Sequence, residues 1–462
     1  MNDPRGQSEP HSVVGSTSPV RCDVLVRGAA EVVTMAPGSG PASSSGPVER
    51  ERPPVDLGVI PRGAVAALEG RVVWVGPESE IAGALDVPDD AVVVDVEGAA
   101  VIPGLVDAHT HLTWAGDRAA EYGARLGGAT YLEIQQAGGG INSTVRATRE
   151  AAEEDLAALA VRRLDSFLRH GTTTLEAKSG YGLTLEDERK QLAAAKAAHP
   201  VRRVHTCLAA HLTPEEYAGR EDDYIDLVCA EILPALVGQA EFADVFCDEG
   251  AFSVAQSRRV LEAARGLGYR LKMHAEELAH TGGTALAASL GAVSADHLIH
   301  ITGDDIRALK ESGTVAVLLP GTSYTLHTTY APMRELLAAG VTVALATDFN
   351  PGSCYSENLQ MAVSLACQEA RVTPAEALRA ATMGGAAALG LQHEVGSLEP
   401  GKRCDLLVLD SASHLELPYH WGVNLVTDVL VGGEVVVHDR RVVRAGADEA
   451  SSGPGATPVI RS

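Results

Sequence analysis

Two histidines one residue apart, His109 and His111 in Asp107-Ala108-His109-Thr110-His111, are the residues here best suited to chemistry. They follow the apolar run Val101-Ile102-Pro103-Gly104-Leu105-Val106, which reads as a strand. Alternate side chains of a strand share a face, so both imidazoles point into one place at the strand's end. Two imidazoles on one face are good ligands for zinc or iron. Alone, they read more readily as two surface histidines at a strand end. Other apolar runs end in comparable groups: His211, His274, His297 and Asp348. If those runs are parallel strands of one barrel, all of these side chains meet at its mouth and a metal site follows.

The pattern of elements supplies that barrel. Eight short apolar runs, at 101–109, 172–180, 203–211, 243–249, 270–276, 292–298, 314–320 and 341–348, alternate with Ala-rich helical stretches such as 186–198, 253–267 and 332–339. Eight strands alternating with helices predict an α/β fold, a parallel (β/α)8 TIM-type barrel over 101–392. An open doubly wound sheet is the alternative. On either side, Val-rich runs separated by Gly read as β-structure. Residues 20–100 and 393–445 are therefore expected to form one small β-sandwich beside the barrel. The Gly/Ser/Pro-dense insertion 36–54 is expected to be mobile, and the ends 1–19 and 446–462 disordered.

The 462 residues are 45% hydrophobic and 21% charged, which is globular rather than disordered composition. Lys plus Arg number 37 against 61 Asp plus Glu, a net charge of −24 with no basic stripe, which argues against nucleic acid as a partner. An anionic small molecule is not excluded, because one buried arginine overrides the mean field locally. Seven scattered cysteines without a CxxC pair exclude a disulfide framework and a thiolate zinc site. The N-terminus lacks the apolar region of a signal peptide, and no apolar run approaches the ~20 residues that span a bilayer. A cytoplasmic protein without a membrane partner is expected.

The run Pro103-Gly104-Leu105-Val106-Asp107-Ala108-His109-Thr110-His111 resembles the opening barrel motif of the amidohydrolase superfamily. The resemblance implies His109, His111, His274 and Asp348 as ligands of one Zn2+ or Fe3+ per subunit. Superfamily members with two metals usually bridge them with a modified Lys on strand four. Strand four here ends Phe246-Cys247-Asp248-Glu249, and Lys178 falls on strand two, so one metal is expected.

Longer segments narrow the resemblance. They are Gln136-Ala137-Gly138-Gly139-Gly140-Ile141, Lys178-Ser179-Gly180-Tyr181-Gly182, Lys272-Met273-His274-Ala275-Glu276-Glu277, Ser294-Ala295-Asp296-His297-Leu298 and Ala346-Thr347-Asp348-Phe349-Asn350-Pro351-Gly352-Ser353. They are similar to superfamily members that open the ring of 4-imidazolone-5-propionate to N-formimidoyl-L-glutamate in histidine degradation. Such a reaction needs an activated water and a proton donor for the departing ring nitrogen. The resemblance implies Glu277 as that proton shuttle, with Asp348 accepting the water proton and His297 polarising the carbonyl or hydrogen-bonding the hydroxide. A propionate tail in an enclosed site needs a cation, and the resemblance implies Arg118 in that role, a residue that would otherwise read as a surface arginine. Tyr181 would hold the same carboxylate or close the pocket, and His211 would contact the ring. Asn350, Gly352 and Ser353 would bind ring or product.

Competing readings are a cytosine- or guanine-type deaminase, whose substrates lack a propionate, and a non-catalytic barrel used as a scaffold. Gly138-Gly139-Gly140 lacks the Lys-Ser/Thr of a phosphate-binding loop and reads as a lid or turn. Cys207 and Cys247 read as core, and Cys354 as a non-catalytic neighbour of the site. The resemblance implies a homodimer.

Overall fold

The structure, a computed structural model, describes residues 18–36, 55–129, 133, 138–443 and 459–461. The insertion 37–54, Gln136 and Ala137, and nearly all of both expected tails lie outside the described residues.

Eight parallel strands follow one another in sheet order as in sequence: β1 (Leu105–Asp107), β2 (Thr172–Lys178), β3 (Arg202–Ala210), β4 (Phe242–Cys247), β5 (Arg270–Ala275), β6 (Ser294–His297), β7 (Val315–Leu318) and β8 (Val343–Leu345). The circle closes just beyond β1 and β8, where His111 N–H donates to the Phe349 carbonyl (2.9 Å) and Asp348 N–H to that of His109 (3.1 Å). Closure therefore happens at the candidate ligands themselves.

Local chemistry explains the helices between the strands. Glu153–Arg169 carries three acids in its first turn and an arginine in its last, complementing the helix dipole. In Val254–Gly266, Ser253 and Gln256 form a reciprocal capping box. The expected helices 186–198, 253–267 and 332–339 appear as Leu185–Ala194, Val254–Gly266 and Met333–Ala338. Past the barrel, Gly385–Ala388 and the turns that follow pack against the starts of the strands, where Arg270 Nη1 donates to the Leu389 carbonyl at 3.2 Å.

Both chain ends build the sandwich. One sheet has seven strands and takes Glu31–Val33, Val59–Pro61 and Ala100–Pro103 from the N-terminal part, and Leu406–Leu409, Val426–Val431, Glu434–His438 and Arg441–Val442 from the C-terminal part. A five-stranded sheet faces it. Val26, Val65 and Val94 of that sheet meet Val32, Val101, Leu406, Val408 and Leu430 of the first in one buried cluster.

Two expectations are corrected. The run 101–109 is not one strand. Ala100–Pro103 pairs with Leu406–Leu409 in the sandwich, and the barrel begins only at Leu105. Gly104 makes the handover, because a Cβ there would lie 2.2 Å from Thr173 Oγ1. The expected disordered C-terminal tail contains a strand, Val459–Arg461, parallel to Val92–Asp95. Among the described residues no helix is long and apolar enough to cross a membrane.

Candidate metal centre and active site

Five imidazoles gather at the C-terminal ends of the barrel strands. His109 and His111 follow β1, His211 follows β3, His274 lies in β5 and His297 ends β6. The His109 ring lies 4.5 Å from that of His274, 5.4 Å from His297 and 5.5 Å from His111, and His111 stacks on His211 at 5.2 Å. Donor atoms of His109, His111 and His274 all lie within 4.8 Å of one another, as do those of His109, His297 and Asp348. The four expected ligands are thus brought together, and His297 stands beside them.

Asp348 presents one oxygen to this group. Its Oδ2 accepts from Thr322 Oγ1 (2.5 Å) and Ser353 Oγ (3.2 Å). Its Oδ1 is left 3.4 Å from His109 Nε2 and 3.8 Å from His111 Nε2. His109 Nδ1 is 2.6 Å from Asp296 Oδ2, so Asp296 fixes the ring with Nε2 facing Asp348. His109 Nε2 and His274 Nε2 are buried, without a hydrogen-bond partner among the described residues. Buried polar atoms are normally paired. Three imidazoles, a carboxylate and orphaned ring nitrogens in one pocket are a donor set that fits a transition-metal ion.

Backbone strain marks the same place. Glu276, His297, Leu298 and Asp348 have φ of 52°, 78°, 61° and 53°, a left-handed conformation unusual outside glycine. Such conformations cluster where the surroundings impose them, at binding and catalytic sites.

Glu277 lies in the loop after β5, and its Oε2 is 3.5 Å from His297 Nε2. Burial pushes its carboxyl well above the usual range, and the charges of Asp348 and Asp248 add to this. Asp248, beyond β4, holds the loop by accepting from the backbone N–H groups of Glu277 (2.6 Å), Leu278 (3.0 Å) and Ala279 (3.1 Å). Burial lowers the His211 ring to about 4, helped by His274, so it is neutral at pH 7. Its Nδ1 contacts the Gly180 carbonyl at 2.9 Å.

Tyr181 is buried on the loop after β2, with its ring 5.6 Å from that of His111 and 5.4 Å from that of His211. Arg118 stands in the loop after β1, just before the helix Ala119–Leu126. Its Nε donates to Glu121 Oε2 (2.7 Å), and its Nη1 is so close to Gly352 that a Cβ there would lie 2.4 Å away. Arg118, Trp114, Tyr122, Gly352, Ser353 and Tyr355 line a cleft of about 410 Å3.

Asn350 is engaged within its own loop. Its Nδ2 donates to the Asp348 carbonyl and to Ser353 Oγ, both at 2.7 Å, and its Oδ1 accepts from Gly352 N–H (2.7 Å) and Ser353 N–H (2.8 Å). All four capacities of the amide are used within its own loop. Here Asn350 shapes the loop that presents Asp348 and Gly352. Gly138–Gly140 forms a turn, and Gly140 (φ 80°) precedes the helix Ile141–Glu150. All seven cysteines are free thiols, and burial raises Cys354, Cys207 and Cys247 out of the reactive range.

Sequence reasoning missed the layer beneath. Lys178 Nζ sits 2.6 Å from Asp244 Oδ2, 3.0 Å from Glu176 Oε2 and 3.6 Å from Asp296 Oδ2. Lys272 Nζ sits 2.8 Å from Glu176 Oε2 and donates to the Ala108 carbonyl at 2.9 Å. Burial alone would lower Lys178, but its carboxylate neighbours prevail and hold it above the ordinary lysine value. The signal was present as period-2 polar residues inside the strands: Glu176 and Lys178, Lys272 and His274, Ser294 and Asp296.

Comparison with known proteins gives the family and the fold. The sequence model of the amidohydrolase family matches residues 100–436. The chain is 49% identical over 429 residues to an imidazolonepropionase of Symbiobacterium thermophilum, covering 91% of this chain and 99% of that protein. It is 47% identical to an imidazolonepropionase of Haloarcula marismortui, covering 90% and 96%. Among solved structures, an adenosine deaminase from Xanthomonas campestris with bound zinc shares the fold at a TM-score of 0.69 and 24% identity, over 92% of this chain and 95% of that one. The chain belongs to the amidohydrolase family, on the branch of the imidazolonepropionases.

Proposed function

We propose that this protein hydrolyses the cyclic amide of 4-imidazolone-5-propionate to N-formimidoyl-L-glutamate, the ring-opening step of histidine degradation. The observation that carries the reading is the meeting, at one barrel mouth, of the His/Asp donor group with a largely buried Glu277 3.5 Å from His297. Arg118 on the same rim supplies the selectivity for a carboxylate.

In this reading His109, His111, His274 and Asp348 hold one Zn2+ or Fe3+; three imidazoles and a carboxylate suit either. A single ion is favoured because Lys178 and Lys272, the lysines beneath the ligands, are already engaged by buried carboxylates. The ion, when bound, supplies a nucleophile from water near neutral pH and neutralises charge developing on the ring oxygen. Asp348 takes a proton from the attacking water. His297, neutral because burial lowers it well below the ordinary histidine value, orients the ring carbonyl. As the carbonyl carbon gains an oxygen and loses its bond to nitrogen, Glu277 delivers the proton that the departing nitrogen needs. Burial, which raises the Glu277 carboxyl well above its usual range, favours the protonated form that this role needs.

The propionate is held by the Nη side of Arg118, with Tyr181 closing over it and His211 against the ring. Gly352 and Ser353 border the tail, with Asn350 shaping their loop. We extend the reading to a cytoplasmic homodimer, which light scattering checks by a molar mass of twice the chain.

The test is turnover of 4-imidazolone-5-propionate compared with cytosine and guanine, and the Arg118→Ala variant. The account expects turnover of the first substrate only, and a KM raised at least tenfold in the variant. An unchanged KM overturns the role of Arg118, and turnover of the nucleobases alone overturns the substrate.

A further inference from the structure

The ion cluster beneath the donor group is not used by the reaction above, and its connectivity is specific. Asp296 Oδ2 is hydrogen-bonded to His109 Nδ1 at 2.6 Å, and Asp244 Oδ2 lies 3.1 Å from His274 Nδ1, an ion-pair distance without hydrogen-bond alignment. The second oxygen of each aspartate is fixed locally. Asp296 Oδ1 accepts from Ser294 Oγ (2.6 Å), and Asp244 Oδ1 from Val245 N–H (2.7 Å). The two oxygens that face the histidines are the same two that face Lys178 Nζ, at 3.6 Å and 2.6 Å. One buried ammonium therefore stands between the carboxylates behind His109, from the β1 end, and His274, from β5.

We propose that Lys178 is a positioning residue for the metal centre, setting ion affinity by locking Asp296 and Asp244 against His109 and His274. This rests on the reading of those histidines as ligands. A carboxylate behind a ligating imidazole fixes its orientation and raises its basicity, and losing such a partner typically costs about 10- to 100-fold in metal affinity. Here one lysine governs two such partners at once. Lys272 shares Asp296, at 4.0 Å, and reaches Glu176 (2.8 Å), but Lys178 is the lysine that also binds Asp244. Glu176 Oε2, shared by both lysines, balances the charge between them, and its Oε1 is held by the Thr206 hydroxyl.

Removing Lys178 alone leaves three buried carboxylates facing one ammonium, which can prevent folding. The decisive variant is therefore Lys178→Met combined with Glu176→Gln. It removes one charge of each sign, keeps the buried net charge and still deletes the bridge. Apoproteins shown to be folded by circular dichroism and thermal unfolding are titrated with Co2+ and Zn2+ against a competing chelator. The visible spectrum of the Co2+ form reports ligand geometry.

The proposal expects a dissociation constant raised about 10- to 100-fold, altered Co2+ bands and still one ion per chain, with a smaller change for Lys272→Met. A folded double variant with wild-type affinity and spectrum overturns it. His274→Ala separates the two levels. Lost binding there with wild-type binding in the double variant overturns Lys178 alone. Retained binding in His274→Ala overturns the ligand reading and the proposal with it.

Discussion

Gly352→Ala displaces the guanidinium of Arg118 from a neighbouring position that borders the same propionate tail, without changing Arg118 itself. A Cβ at 352 would lie 2.4 Å from Arg118 Nη1 and 3.4 Å from both its Cζ and Asn350 Oδ1. Only the first contact is intolerable, so the guanidinium must retreat by about 1 Å to reach ordinary van der Waals distance. It is the far end of a flexible side chain, so the fold should lose less than about 1 kcal/mol. The fork cannot simply follow its target, because Nε is tied to Glu121 at 2.7 Å, and Glu121 Oε1 in turn accepts from Ser143 Oγ at 3.1 Å. One charge-assisted hydrogen bond to the propionate is then lost, about 1.5–3 kcal/mol, which corresponds to roughly 10- to 150-fold. In steady-state kinetics with 4-imidazolone-5-propionate that loss should fall on KM, with kcat changed much less, because the tail is bound equally in ground and transition states. A folded variant whose KM stays within about twofold of wild type refutes the placement of the carboxylate at Arg118.

Glu277→Gln should lower kcat about 10²- to 10⁴-fold with KM and metal content little changed; kcat within a factor of a few of wild type removes Glu277 as the proton donor. A pH effect is expected in the sandwich, at the Glu31–His414 contact (2.7 Å). Burial raises the Glu31 carboxyl, but the His414 ring and backbone N–H outweigh it and lower it below 4.5. A depressed acid stabilises the fold above its unfolded value and loses that contribution as the pH falls through its native value. Glu31→Gln should therefore lower Tm at pH 7 and narrow the gap to wild type on acidification, and a gap constant with pH contradicts this. Gly385→Ala, whose Cβ would lie 2.1 Å from the Val106 carbonyl oxygen, meets backbone that cannot yield. It should cost about 3 kcal/mol or more in denaturant unfolding, and a near-neutral effect would mean that the contact is looser than described.

The sequence read most easily where one residue's neighbours in the chain are also its neighbours in space. His109 and His111 share a face by strand geometry alone, and the alternation of runs and helices fixes the order of eight strands. The division of 101–109 between two domains was not legible, because a continuous apolar run carries no mark of its hydrogen-bond partners. Only Pro103-Gly104 hinted at the break. The charged layer was hidden for a related reason. Asp296 is 187 residues from His109, and nothing local says that an aspartate before a histidine will support another histidine on the far side of the barrel. The loop partners of Asn350 were not legible either, because an amide next to a ligand reads as a substrate donor and the sequence does not show that its Nδ2 and Oδ1 are engaged by its own loop.

The most direct test of the account is an anaerobic assay of the purified protein with 4-imidazolone-5-propionate, detecting N-formimidoyl-L-glutamate itself, with and without a chelator. The account predicts product formation that chelation abolishes and one equivalent of Zn2+ or iron per chain restores. Metal-loaded, folded protein that forms no product would contradict the assigned reaction, and product formation that survives complete removal of metal would contradict the metal centre.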